Sequence, residues 1–354
     1  MNICIYTKKQ SPDATFIGRD HIFPGGIGGK AMLPTGYVSD EANNAFSLLE
    51  LDFMRNSLIS LPRQYFGPGK RGRLAPSAAT QSNIHIMYGL EMGHMPMLGY
   101  ISLGIPNIID QVALSPSGGQ GISLHPKAGL SYQEQFSKFV SQIKKWDHTH
   151  TFLEEKDLDD VVLLGNHNQK WYIAASNSQG IQKAIDFARL LQTNELRADS
   201  TSHVELNVKA HQRMSFNIEY FYRVCAKIAF NYLAFLRGSE YMLKSYFAPI
   251  REYILRGSPK ANARLMDSSD TQLSIFLRGA FPKDAHKVLI STTKVGIIAM
   301  ISFYGDSFPA VVNIAETSED PIYEGFICDW RNSNELSLIE VIRALAQDQE
   351  KASG

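Results

Sequence analysis

Apolar and polar positions change period several times along this chain, and each change predicts an element. At the N-terminus "NICIYT" reads as a short strand, and "KKQSPDAT" as a polar turn carrying Pro12. "FIGRDHIFP" holds a second short strand, with Asp20 and His21 near its end, and "GGIGGKAMLPTG" is loop. "SDEANNAFSLLELDFMRNSLI" then sets Phe46, Leu49, Phe53 and Leu58 at roughly helical spacing. Ser39 or Asp40 is positioned to cap that helix. Residues 1–65 therefore read strand, strand, loop, helix.

The rest alternates between the two periods. "SYQEQFSKFVSQIKKW" and "GIQKAIDFARLLQTNE" are amphipathic helices. "KWYIAAS" and "NVKAHQRM" read as strands, and "TFLEEKDLDDVVLL" runs from a charged surface segment into another. Residues 85–120 are punctuated by Gly and Pro and suggest only short strands. "IEYFYRVCAKIAFNYLAFLRG" is a long helix expected to end at Gly238. "SEYMLKSYFAPIREYILRG" is a second, interrupted or kinked at Pro249 and ending at Gly257. "HKVLISTT", "VGIIAMISFYG" and "PAVVNIAE" are strands. The expected class is α+β: a compact unit over 1–75, then a larger mixed α/β region over 76–354 with long helices and a C-terminal antiparallel sheet. A further division is expected near 125–205.

Composition narrows the function classes. The 354 residues carry 35 Lys+Arg and 35 Asp+Glu, so no global basic excess attracts nucleic acid. A local surplus exists: residues 1–75 hold nine Lys/Arg against six Asp/Glu. Lys70, Arg71 and Arg73, with Arg55 and Arg63 nearby, are the best candidates for phosphate contacts, although a solvated loop explains the cluster as cheaply. Three cysteines, Cys4, Cys225 and Cys328, do not make a disulfide framework and fit a reducing compartment. With no signal-peptide core at the N-terminus and no membrane-length apolar run, the expectation is a cytoplasmic protein without membrane contact.

The candidate chemistry sits in "GRDHIFPGGIGG". Hydrolysing a phosphodiester with one metal requires a base, a cation beside the phosphate and side chains fixing both. His21 suits the base, and Asp20 suits a hard cation such as Mg2+ or Mn2+. Asn43 or Asn44, at the start of the helix, offers a further ligand. Neighbouring strand residues point to opposite faces, so Asp20 and His21 need a bend or bulge to converge. "GGIGGKAM" lacks the Ser or Thr after its lysine that a P-loop requires.

This segment resembles the HNH endonucleases with a ββα-metal fold, in the branch whose hairpin and helix are pinned by zinc. The acid–His–x–x–Pro piece falls on Asp20, His21 and Pro24, followed by Gly28-Gly29, and the Asn opening the helix falls on Asn43. The resemblance spans about 60 residues. It implies that His21 is the general base and that Asp20 and Asn43 hold the catalytic metal. It implies DNA or another nucleic acid as substrate, and cutting two strands asks for two sites, hence a dimer. The zinc pattern departs from that branch: Cys4 is kept, but Thr7, Ser39 and Ala42 stand where cysteines belong. One thiolate cannot build a tetrahedral zinc site, so no structural zinc is expected. Packing by Phe16, Ile22, Phe46, Leu49 and Phe53 is the expected replacement.

Two other readings stay open. The unit can be a degenerate HNH-like domain that binds nucleic acid without cutting it. Alternatively the chain is a ligand sensor centred on the C-terminal region, with a pocket lined from residues 210–330. Each site residue also has a plain role: His21 as a partly buried histidine bonded to a carbonyl, Asp20 as a turn carboxylate, Asn43 as a helix cap. Cys225 reads as core, and Cys328 lacks an identifiable histidine partner. His94 suggests apolar packing, and His148 and His150 would bind metal only if nearby acids folded back.

Overall fold

The computed structural model describes residues 2–69, 72–89, 95–127, 129–194, 208–210, 216–257, 262–267 and 281–353. The protein is α+β, with long helices and a C-terminal antiparallel sheet. Its contacts gather into two units, Met1–Thr80 with Met214–Gly354, and Gln81–Arg213. The sequence division at residue 75 is therefore drawn differently. The N-terminal segment shares a unit with Met214–Gly354, and the chain between them forms the second.

Unit 1 opens with two minimal antiparallel contacts in place of the two short strands expected. Ile3 pairs with Gln10, and His21 with Met32. The second is a true hairpin: Ile22 N–H donates to the Ala31 carbonyl at 2.9 Å, and Leu33 N–H to the Asp20 carbonyl at 2.8 Å. A 3-10 turn at Gly25–Ile27 lies in the connection. Two glycines there are obligatory: Gly28 has φ 100°, and a Cβ on Gly29 would stand 2.0 Å from the Phe23 carbonyl oxygen. Then come α1 (Asp40–Asn56) and α2 (Ser60–Phe66). Ser39 caps α1, accepting from Ala42 N–H, and Asp40 and Glu41 favour the positive end of its dipole. The helix buries Ala42 together with Phe46, Leu49 and Phe53, which the spacing predicted, while Leu58 lies past its end.

Unit 2 contains β1 (His85–Gly89), β2 (Pro96–Ser102), β3 (Ile105–Ile108), β4 (Asp110–Leu114), β5 (Gln120–Ser123), α3 (Tyr132–Lys144), β6 (Thr151–Glu154), β7 (Val162–His167), β8 (Lys170–Ala175), α4 (Gln179–Thr193) and β9 (Val208–Ala210). Its sheets run β3-β2-β1-β9 and β5-β4-β7-β8-β6. All pairings are antiparallel except β6 with β8. Helices α3 and α4 bury Phe139, Ile143, Phe187 and Leu191 with Val112, Leu164 and Ile173 of the five-stranded sheet. A second core joins Ile86 and Leu98 to Ile109, Leu163 and Ala174.

The chain re-enters unit 1 with α5 (Ile218–Met242), α6 (Ala248–Arg256), β10 (Ala263–Leu265), β11 (His286–Thr293), β12 (Gly296–Phe303), β13 (Ser307–Ala315), β14 (Tyr323–Asp329), β15 (Asn334–Ser337) and α7 (Leu338–Ser353). The sheet order is β10-β13-β12-β11-β14-β15, antiparallel throughout. Helix α5 is buried continuously from Val224 to Ala234, as expected of a helix apolar on every side. Its geometry breaks at Gly238 (φ 83°), as the sequence suggested, but one more turn follows. Pro249 does not kink a helix: it sits in the first turn of α6, where its missing N–H costs nothing. The large core of this unit joins Ile22, Phe23, Ile27, Phe46 and Phe53 to Phe221 and Phe230 of α5 and Phe303 and Phe326 of the sheet. Among the described residues no helix is long and apolar enough to cross a membrane.

Candidate functional site

The hairpin carrying Asp20 and His21 rests on α5. Asp20 is only 4% exposed, and Lys227 and Asn231, one helical turn apart on α5, meet its carboxylate. Lys227 Nζ donates to Asp20 Oδ1 at 2.8 Å and to Glu50 Oε1, on α1, at 2.8 Å. It also lies 5.3 Å from the centre of the Phe46 ring. Asn231 Nδ2 donates to Asp20 Oδ2 at 2.9 Å and to the His21 carbonyl at 2.8 Å, and its Oδ1 accepts from the Tyr6 hydroxyl at 2.6 Å. The result is a network of five side chains drawn from four segments: the first N-terminal turn, the hairpin, α1 and α5.

Electrostatics follow from that network. Burial opposes the Lys227 ammonium, but Asp20 and Glu50 outweigh it and raise its pKa above the ordinary lysine value. Burial raises Glu50, Lys227 opposes the rise, and the like charge of Asp20 adds to it. Burial of the Tyr6 phenol, reinforced by Asp20, raises its pKa well above the usual value, so it remains a donor.

His21 sits differently. It is half-buried, and a Cβ on Gly25 would stand 3.2 Å from its Nε2. Burial lowers its pKa, Asp20 pulls it back up, and Lys227 and Arg19 lower it further. The balance favours the neutral imidazole. Beside it the exposed Arg19 donates through Nε to the Leu33 carbonyl at 3.0 Å and through Nη2 to the Met32 carbonyl at 3.3 Å. Behind it the glycine turn is held from two sides. Arg63 Nε donates to the Gly26 carbonyl at 3.2 Å. His286 Nε2–H donates to the Ile27 carbonyl at 3.1 Å, while its Nδ1 accepts from Tyr304 N–H at 3.1 Å.

Three of the four positions of the zinc pattern, Cys4, Thr7 and Ser39, also meet, and Ala42 follows only through the Ser39 cap. Cys4 is fully buried, and Ser39 N–H donates to its Sγ at 3.4 Å. Thr7 hydrogen-bonds the same thiol, and Ser39 Oγ caps Ala42 N–H at 3.4 Å. Burial pushes the Cys4 thiol up, and its bonds to Ser39 and Thr7 bring it below the ordinary value.

Several expectations need correction. Asp20 and Asn43 are not partners. Asn43 packs against Gly18, its Nδ2 3.0 Å from where a Gly18 Cβ would be, and Asn44 is exposed. Asp20 also does not turn outward beside His21; it points into the core, as strand alternation dictates. Arg63 is not available to phosphate: it is 7% exposed, and it bonds the Gly26 and Gly69 carbonyls. Arg55 and Arg73 are exposed, while Lys70, Arg71 and His94 lie outside the described residues.

A divalent cation at Asp20 does not fit these residues. Oxygen-to-metal distances are roughly 2.0–2.6 Å. A cation that close to Oδ1 would stand against the Lys227 ammonium, itself 2.8 Å from the same oxygen. Among the described residues no three His, Cys, Asp or Glu side chains gather to hold a metal ion. Lys227, Asn231, Glu50 and Tyr6 were missed by sequence reasoning. The available signal was a Lys and an Asn spaced i, i+4 inside the apolar run "AKIAFNYL". No family model, curated protein or solved structure matches this chain.

Proposed function

We propose that the N-terminal hairpin and α1 form an HNH-type unit acting on nucleic-acid phosphodiesters, with His21 as the general base. The observation that carries this reading is the convergence of Cys4, Thr7 and Ser39 between hairpin and helix, with Ala42 joined to Ser39 through its cap. Those four positions come from two segments more than thirty residues apart, and a ββα unit is what brings such pairs together. The order hairpin, glycine turn, hairpin strand, capped helix supports it as well. In this reading His21 takes a proton from the attacking water. Arg19, fixed to the hairpin backbone, faces the charge that builds on the phosphate. Asn231 fixes the His21 backbone, so the imidazole is presented from a rigid frame. No step runs through a metal, because Asp20 is already paired.

The test is cleavage of plasmid and of single-stranded DNA and RNA by the full chain and by His21→Ala, with Mg2+, with Mn2+ and with EDTA. The expected result is cleavage that falls at least about 100-fold in the variant. Equal cleavage by both proteins, or none by either, ends the proposal. A second reading, binding without cleavage, is favoured by the burial of Asp20 against Lys227. It predicts that gel-shift affinity survives in His21→Ala while no product forms. For the sensor reading, a cavity under the C-terminal sheet among the described residues, lined by Val288, Phe326 and Leu338 among others, measures about 10 Å³, room for a single water.

A further inference from the structure

In the resemblance, Asp20 needs a cation. The structure gives it one made of protein. The Lys227 ammonium bridges Asp20 and Glu50 at 2.8 Å each, is fully buried, and has the Phe46 ring as a further neighbour. A buried lysine in an apolar helix is expensive unless its charge is met at every side, and here two carboxylates meet it. Asn231 completes the shell by donating to the other Asp20 oxygen. Asp20 faces a cation on one oxygen and accepts from an amide on the other, as a metal-bound carboxylate binds its metal through one oxygen and accepts from an outer partner. No side of this arrangement opens to solvent at Lys227, so the ammonium does not touch substrate.

We propose that Lys227 takes over the charge-balancing role of a divalent cation at Asp20, so that the hairpin is held in its working shape without a metal there. Lys227 is thus a positioning residue, acting on His21 through Asp20 and Asn231. The inference rests on the reading of Asp20-His21 as an HNH-type site only for its catalytic corollary, which is that any cleavage persists in EDTA. Its structural content stands on the ion network alone. Removing the ammonium would leave two carboxylates, each 2.8 Å from the vacated nitrogen position, facing each other across a space of cation size.

The experiment measures Mn2+ binding rather than activity. Paramagnetic broadening of backbone amide signals is recorded on the full-length wild-type chain titrated with MnCl2, and melting is followed with Mn2+ and with EDTA. The expected result is no selective broadening at Asp20, Glu50 or Lys227 and no shift in Tm. Lys227→Ala is expected to melt lower, and Mn2+ is expected to raise its Tm by several degrees in a dose-dependent way. That rescue is lost when Asp20→Asn is added. Should Lys227→Ala fail to fold, the wild-type titration decides alone. Selective broadening at Asp20 in the wild-type chain overturns the inference and leaves the role of His21 intact. Absence of any cleavage, with no broadening at Asp20, overturns the nuclease reading and supports the inference.

Discussion

Two corners of unit 1 gather polar groups from the same N-terminal segment and hold them by opposite means. At the thiol corner Cys4, Thr7 and Ser39 meet through neutral contacts, among them an N–H to sulfur bond of 3.4 Å, and Ser39 caps Ala42. At the carboxylate corner Asp20, Glu50, Lys227 and Asn231 meet through charged contacts of 2.8–2.9 Å. Adjacent residues divide between them, since Tyr6 reaches Asn231 while Thr7 reaches Cys4. A small neutral group can be buried by packing and one capping bond. A carboxylate can be buried only with a counter-charge supplied in the same place. That difference explains why the first corner is built locally and the second needs a helix 207 residues further along.

The comparison breaks most sharply at Lys227. Lys227→Met should destabilise the chain by about 3–5 kcal/mol, because both carboxylates stay buried without their partner. Asp20→Asn combined with it should cost far less than the sum, and denaturant unfolding of the double-mutant cycle measures that coupling. An additive cycle would show that Asp20 and Lys227 do not share one network.

The thiol corner is tested by building up rather than removing. Thr7→Cys, Ser39→Cys and Ala42→Cys together should create a tetrahedral thiolate site with Cys4, visible as cobalt charge-transfer absorption. Zinc at a hundredfold excess over its Kd should then stabilise that variant by about 3 kcal/mol. An optical spectrum of free cobalt would mean that the four positions do not converge.

A smaller effect is expected at His286, which ties the glycine turn to the sheet. Burial lowers its pKa to about 3. The folded state keeps it neutral, while the unfolded chain binds a proton below its ordinary value of about 6.5. Stability from this group is therefore full above that value and is lost as pH falls toward the folded one. The loss between pH 7 and pH 5 should be about 2 kcal/mol. His286→Gln should flatten that slope, and urea unfolding across pH reads it directly.

Much of the frame was legible in sequence. Helix α1, its Ser39 cap and its buried face follow from spacing and a capping residue, which are local signals. The C-terminal strands β11, β12 and β13 follow from apolar runs broken by turns. The hairpin around His21 was legible as a strand, although only one bridge pair forms, because the glycine turn interrupts the ladder. The partners of Asp20 were not legible, since Lys227 lies 207 residues away and no local rule joins them. What the sequence does carry is half of the answer: a lysine inside the apolar run "AKIAFNYL" calls for a counter-charge. Arg63 misled for a related reason, because a basic residue near a loop reads as surface until the carbonyls it binds are seen.

The separation between Asp20 and Lys227 has a consequence for how the chain is made. Synthesis delivers the N-terminal hairpin first, then the whole of residues 81–213, and only then the helix that neutralises Asp20. Until α5 has emerged from the ribosome, the nascent hairpin carries a carboxylate with no counter-ion and an apolar face with no cover. The hairpin therefore reaches its final shape later than its place in the order of synthesis suggests, and the proposed chemistry at His21 is withheld until α5 has emerged.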